Sequence, residues 1–209
     1  MCTSKHLISL GFTPDRFPAG THICYIYNDD KRREEIISKF VESGLQNGEQ
    51  VAYFTDTLPP EKIREHLSDM GVQLPSQTEQ ERLNIGTALE TYCPDGTFIP
   101  ERMLQTIRNM YTNSIEEGYT GARGTGEMSW ALRDVPGAEH LIEYEAKINI
   151  VVREHPTTVV CQYDTRRFDG DTLFDVLNVH PMMIVGGQVV HNPYYTPPED
   201  FLKKHLAKR

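Results

Sequence analysis

Apolar positions along the chain fall in short runs of two different periods, and the order of those periods predicts the fold. His22-Ile-Cys-Tyr-Ile-Tyr27 is compact, rich in β-branched and aromatic residues, and follows Pro18-Ala-Gly20, which predicts a buried strand. Helical spacing takes over behind it. Asn28 and Asp29 are good N-caps, and Ile36, Ile37, Phe40, Val41 and Leu45 recur along one face until Asn47-Gly48 stops the run. Gln50-Val-Ala-Tyr-Phe-Thr55 predicts a second strand, and Pro59-Pro60 opens a helix through Met70 that Gly71 closes. Such β-α-β-α alternation predicts an α/β fold: a mainly parallel sheet, right-handed crossovers and helices on both faces.

The stretch from Leu74 to Pro100 is polar, with a short strand at Leu83-Asn-Ile85 and a loop around Cys93-Pro-Asp-Gly96. Met103, Leu104, Ile107, Met110, Tyr111 and Ile115 predict an amphipathic helix ending at Gly118. Gly121 to Trp130 reads as a glycine-rich strand with its exit loop, followed by a helix from about Gly137 to Glu154 and a strand at Thr157-Thr-Val-Val-Cys-Gln-Tyr163. A short helix around Leu173 to Leu177 leads to His180-Pro181, and two apolar runs about Gly186-Gly187 predict a terminal hairpin from Met182 to His191. The last element is a short amphipathic helix, Phe201 to Lys208, whose Phe201, Leu202, His205 and Leu206 make a stripe too large for a lone short helix to bury. Either the helix folds back onto the chain's own sheet, or the hairpin edge and the helix form a homodimer face or a dock for an output protein.

Composition narrows the class. The 209 residues, 38% hydrophobic and 24% charged, suit one globular domain, and a net charge of -9 disfavours sequence-independent binding to nucleic acid or an anionic membrane. No run approaches the ~18 apolar residues of a membrane span, and the start, Met-Cys-Thr-Ser-Lys-His, lacks a signal-peptide core, so a cytoplasmic location is expected. Cys2, Cys24, Cys93 and Cys161 are widely and irregularly spaced, which predicts reduced thiols, with Cys24 and Cys161 buried as small apolar residues.

In an open parallel sheet, ligands sit beyond the carboxyl ends of the strands, so the residues there carry most functional information. After the first strand this chain has Tyr27-Asn-Asp-Asp-Lys-Arg-Arg-Glu34 in place of a glycine-rich phosphate loop, and its aspartates would repel phosphates. Arg123, Glu127, Ser129 and Trp130 are expected at one strand end, where glycines permit either close approach of a ligand or tight packing with Arg123 and Glu127 paired. Glu145 on the next helix, Tyr163 closing the following strand, and His180 are further candidates. His22, His180 and His191 with nearby Glu and Cys are the residue types of a metal site, but no H-x-x-x-H or C-x-x-C spacing supports one, and neither metal nor cofactor is expected.

Five segments in order, Gly20-Thr-His22-Ile-Cys-Tyr-Ile-Tyr27, Phe40-Val-Glu-Ser-Gly-Leu-Gln-Asn-Gly48-Glu, Gly124-Thr-Gly-Glu127-Met-Ser-Trp130, Tyr144-Glu145-Ala and Cys161-Gln-Tyr-Asp164, resemble the MEDS domain, the methanogen/methylotroph DcmR sensory domain. The opening is also similar to RecA/KaiC-type folds that have lost the phosphate loop. The resemblance implies a sensory core over about 10–195 with a tail helix at 198–208. It further implies a prokaryotic signal-transduction module for simple hydrocarbon derivatives, working with a kinase, anti-sigma or transcription-regulator partner. With only Pro197-Pro198 and the tail helix after Tyr195, either the signal is expected to pass to a separate protein or the chain is an excised sensor.

The ligand site expected from strand ends comprises His22, Tyr25, Tyr27, Arg123, Glu127, Trp130, Glu145, Tyr163 and His180, with aromatic walls and few polar groups. Two other readings stand beside it: an enzyme using Glu127, Glu145 and His180 for acid–base chemistry, and a residual nucleotide-binding protein of the RecA type meeting an anion through Lys31, Arg32 and Arg33.

Overall fold

In the computed structural model, which describes residues 6–206, a two-stranded antiparallel ribbon of β1 (Leu7–Ser9) and β2 (Arg16–Pro18) precedes the main sheet. That sheet has seven strands: β3 (His22–Tyr27), β4 (Gln50–Thr55), β5 (Leu83–Thr87), β6 (Ala122–Glu127), β7 (Thr158–Asp164), β8 (Met182–Val185) and β9 (Gln188–His191). Their order is β5-β4-β6-β7-β3-β8-β9, parallel throughout except for β9, which turns back from β8 as the expected hairpin.

Alternation along each strand divides the interior into two layers. Ile23, Tyr25, Val51, Tyr53 and Val160 face one side, where they pack against Ile36, Ile37 and Phe40 of α1 (Asp30–Gln46) and Ile63 and Leu67 of α2 (Pro60–Asp69). Cys24, Ala52, Phe54, Cys161 and Tyr163 face the other side. There they meet α3 (Ala88–Tyr92), α4 (Pro100–Glu116), α5 (Leu141–Glu154) and α6 (Gly170–Val179). This is the two-faced burial that makes parallel strands read as nearly continuous apolar runs.

Three local features depart from the sequence reading. The ribbon β1–β2 is too short and polar to give a period, and α3 lies inside the segment read as strand and loop, capped by the Thr87 hydroxyl. The exit from β6 is a 3₁₀ turn, Met128–Leu132, that turns Trp130 inward. The tail helix α7 (Pro198–Leu206) lies against α5 and α6, on the chain's own helices and not on its sheet, tied by Arg153 to Glu199 at 2.5 Å. Cys2, positions 207–208 of the expected tail helix, and the side chains of His205 and Leu206 lie outside the described residues.

Candidate functional site

The expected site residues separate into five places. Tyr25 and Tyr27 line a cleft of about 370 Å³ at the carboxyl ends of β3 and β8, together with Leu177, Met183 and Ile184, and with Asn28, Asp29 and Arg32 as its polar groups. Its far wall is the Gly186-Gly187 turn of the hairpin, where both residues have positive φ (61° and 83°), a conformation glycine adopts without a Cβ clash.

Glu127, buried at the end of β6, faces the α1 layer. Its Oε1 accepts from Arg33 Nη1 at 2.8 Å and from the Tyr53 hydroxyl at 3.2 Å. Its Oε2 accepts from the backbone N–H groups of Asp56 (2.9 Å) and Thr57 (2.8 Å) and from the Thr57 hydroxyl (2.7 Å). Five donors saturate the carboxylate, which therefore clamps α1 to the loop after β4 and offers nothing to a ligand. Arg33, named in the sequence only as a potential anion contact, is 3% exposed and committed to this clamp, donating also to Gln162 Oε1 at 3.2 Å.

Arg123 sits at the opposite end of β6 from Glu127, because the two residues share a face but stand four positions apart. It pairs with Glu49 and donates to the Phe40 carbonyl, so the expected Arg123–Glu127 pairing is replaced by two separate buried ion pairs. Gly44 of α1 makes room for it: a Cβ there would lie 2.6 Å from Arg123 Cδ. Trp130 is fully buried, stacked on Tyr92 with centroids 4.9 Å apart and tilted on Phe98 at 4.7 Å, and it lies away from the carboxyl-end cleft. The glycine at 126 serves that packing, since a Cβ there would lie 2.6 Å from the Tyr92 hydroxyl.

His22, Glu145, Tyr163 and His180 do converge, and Cys161 joins them, in a fully buried cluster between β3, β7 and α5. Glu145 Oε2 lies 3.1 Å from His22 Nε2, 3.3 Å from His180 Nε2 and 3.4 Å from Cys161 Sγ, while Oε1 accepts from the Tyr163 hydroxyl at 2.6 Å. Burial, and after it neighbouring His180, pushes the His22 imidazolium down to about 4. Burial alone would raise the Glu145 carboxyl, but the two histidines outweigh it and hold the group well below the usual carboxylate range. Burial, then Glu145, pushes the Cys161 thiol far up. His22 also lines the floor of a second cleft, about 510 Å³, at the amino ends of β3 and β8, beside Asn149, Val152, Pro181 and Met182.

Glu127 and Glu145 are consequently on opposite faces of the sheet: one is bound to Gln162 through Arg33, the other to Tyr163, the next residue of β7. The trio expected for acid–base chemistry reduces to Glu145 and His180. Nor does the start of α1 offer a phosphate cradle, because Asp29 accepts from the Arg32 N–H and Asp30 is engaged by Arg166. Asn149 and Glu145, one helical turn apart, were visible in sequence as neighbours; that Cys161 would meet His22 was not, since it depends on the pairing of β3 with β7.

Residues 21–181 match the MEDS family, the methanogen/methylotroph DcmR sensory domain. The chain is 26% identical over 161 residues to the transcriptional repressor DcmR of Methylorubrum extorquens strain DM4, an alignment that covers 76% of this chain and 57% of that protein. Among solved structures it is similar to the KaiC-like protein PH0186 of Pyrococcus horikoshii (TM-score 0.60, 14% identity, 86% of this chain and 79% of that one). It is also similar to the flagellar accessory protein FlaH of Methanocaldococcus jannaschii (TM-score 0.62, 11% identity, 89% and 84%). These likenesses show a RecA/KaiC-like fold. No helix among the described residues is long and apolar enough to cross a membrane.

Proposed function

The chain belongs to the MEDS family of sensory domains, and from that premise we propose that it binds a simple hydrocarbon derivative in the cleft at the carboxyl ends of β3 and β8 and signals to a regulatory protein. The observation that carries the site is the cleft itself. Its volume falls in the range of small-molecule sites, it is lined by Tyr25, Tyr27, Met183 and Ile184, and its few polar groups stand together at the start of α1. It also occupies the place where open parallel sheets bind ligands.

A ligand there touches the Gly186-Gly187 turn, and that turn leads into β9, the strand at one edge of the sheet, and sheet edges are where partners pair. Edge and turn form the surface through which occupancy reaches a partner. The repressor named above, of which this chain spans 57%, favours a transcription regulator over a kinase or anti-sigma protein, or a homodimer, as that partner. The chain's net charge of -9 favours contact with the regulator over contact with DNA, and the reading places it in the cytoplasm. The role is binding: the polar groups of the cleft are an amide, a capping carboxylate and a guanidinium, and Glu145 and His180 are sealed elsewhere.

Methyl-detected NMR with a panel of one- to four-carbon alcohols, amines and halides tests this. Met183 and Ile184 methyl signals should shift saturably with at least one member, and Met183→Trp, which fills the cleft, should abolish the response. Saturable shifts confined to Met182 and Val189, which line the amino-end cleft, would move the site there. Absence of any saturable shift would refute the reading.

A further inference from the structure

We propose that His22, Glu145, Cys161 and His180 form a binding site for a divalent transition-metal ion of borderline softness, with Zn²⁺ the best fit. This site lies apart from the sensory cleft and does not depend on that reading.

Geometry is the first ground. One ligand atom from each of the four side chains lies within 4.8 Å of all the others. Zinc bonds of about 2.0–2.1 Å to imidazole nitrogen, 2.0–2.2 Å to carboxylate oxygen and 2.3 Å to thiolate sulfur place tetrahedral ligands about 3.3–3.6 Å apart. The observed separations are 3.1 Å (His22 Nε2 to Glu145 Oε2), 3.3 Å (His180 Nε2 to Glu145 Oε2), 3.4 Å (Cys161 Sγ to His22 Nε2) and 3.4 Å (Cys161 Sγ to Glu145 Oε2). Two imidazoles, a carboxylate and a thiolate are the donors that borderline cations select.

The orientation of the ligands is the second ground. His180 Nδ1 lies 2.8 Å from the Val176 carbonyl, which can only accept, so Nδ1 carries the proton and Nε2 turns toward the cluster. His22 Nδ1 is oriented in the same way by the Asn149 side-chain oxygen at 3.2 Å, while the Asn149 amide donates to the carbonyls of Glu145, Ala146 and Val179 and so has its oxygen facing His22. The Tyr163 hydroxyl binds the carboxylate oxygen that does not face the cluster. Each of these three contacts is what outer partners of metal ligands do: fix the ring or carboxylate and aim its free lone pair.

An unpartnered atom is the third. His180 is 0% exposed, and its Nε2, although close to Glu145, completes no hydrogen bond. A buried imidazole nitrogen facing a carboxylate is bridged either by a proton or by a metal cation, and the second imidazole and the thiol beside them complete a metal's donor set. Charge agrees with this: two neutral imidazoles, one carboxylate and one thiolate around M²⁺ sum to zero, so the filled centre buries no net charge. Binding replaces the proton of the Cys161 thiol with the metal and releases that one proton to solvent. Entry is through the amino-end cleft, whose floor includes His22 and Asn149.

The test uses the full chain, stripped with a chelator under reducing, anaerobic conditions and checked for folding by circular dichroism. Titration with Co²⁺ should saturate at one equivalent with intense visible d–d bands and a near-ultraviolet thiolate-to-cobalt band, and Zn²⁺ should displace both. Cys161→Ser should lose the thiolate band, whereas Cys93→Ser, at a cysteine outside the cluster, should keep it. Proton release of one per metal, read with a pH indicator, is an independent measure on the unmodified chain. A folded chain that takes up neither Co²⁺ nor Zn²⁺ overturns the proposal and leaves the cluster as an imidazole–carboxylate pair held by a proton. A thiolate band that survives in Cys161→Ser overturns it equally. None of these outcomes involves the hydrocarbon probes, so the metal site and the sensory cleft fail or stand separately.

Discussion

Replacing Glu127 by alanine removes one carboxylate and strands five donors: the Arg33 guanidinium, the Tyr53 and Thr57 hydroxyls, and the N–H groups of Asp56 and Thr57. Glu127 is 1% exposed and Arg33 3%, so water cannot take over these contacts without opening α1 from the sheet. Breaking a buried pair by deleting one partner costs about 3–5 kcal/mol, because the remaining charge stays buried and unpaired. Summing the five hydrogen bonds separately would overshoot, since they share one acceptor group and are not additive. Against a total stability of roughly 5–15 kcal/mol, the loss is a large fraction.

Urea unfolding followed by circular dichroism reads it directly: with a slope of about 2 kcal/mol per molar, the midpoint should fall by roughly 1.5–2.5 M. Glu127→Gln should cost at least about 2 kcal/mol, since its amide NH₂ must face either the guanidinium or the two backbone N–H groups. Arg33→Met in the Glu127→Ala background should restore part of the stability by removing the orphaned charge. A loss under ~1 kcal/mol for Glu127→Ala, or a double variant no more stable than the single, would refute the reasoning, because those are values for solvated pairs.

Gly126→Ala would place a Cβ 2.6 Å from the Tyr92 hydroxyl, with Trp130 stacked behind that ring; a loss of about 1–3 kcal/mol and an altered Trp130 emission are expected, and unchanged stability would show that Tyr92 has room to move. Hydrogen bonds from Arg166 hold the Asp30 and Asp164 carboxyls below their usual range. Their contribution is therefore complete above the unfolded aspartate pKa of about 3.9 and is lost as pH falls through the lower folded values, so the melting temperature of Arg166→Ala should drop less between neutral pH and acid than that of the parent, and parallel curves would contradict this. Millimolar ATP or GTP, with or without magnesium, should leave the melting temperature unchanged, because Asp29 and Asp30 hold the start of α1; a rise of several degrees would reveal an anion site there.

Periodicity in the sequence was sufficient for the strands β3, β4 and β7, for the helices α1, α2 and α4, and for the glycine-centred hairpin, because each buries a face and a buried face must repeat every two or 3.6 residues. It was equally sufficient for the missing phosphate loop, since a cradle of backbone N–H groups needs glycines and Tyr27 to Glu34 contains none. Alternation also places Glu127 and Tyr163 on some face of their strands. Which face meets which helix depends on strand order, and β7 inserts between β6 and β3 for reasons of global packing that no local pattern records.

That insertion decided the chemistry. It set Cys161 beside Cys24 in register, brought its sulfur to His22 across 139 residues of sequence, and parted Glu127 from Glu145 by the thickness of the sheet. Arg123 and Glu127 looked like one pair because they are four residues apart, but four residues along a strand span about 13 Å, too far for a shared contact, and each found its partner on another element. Local spacing therefore specified the elements and their buried faces, while the partners of Arg33, Arg123, Glu127 and Glu145 were set by the parallel crossovers that only the folded chain contains.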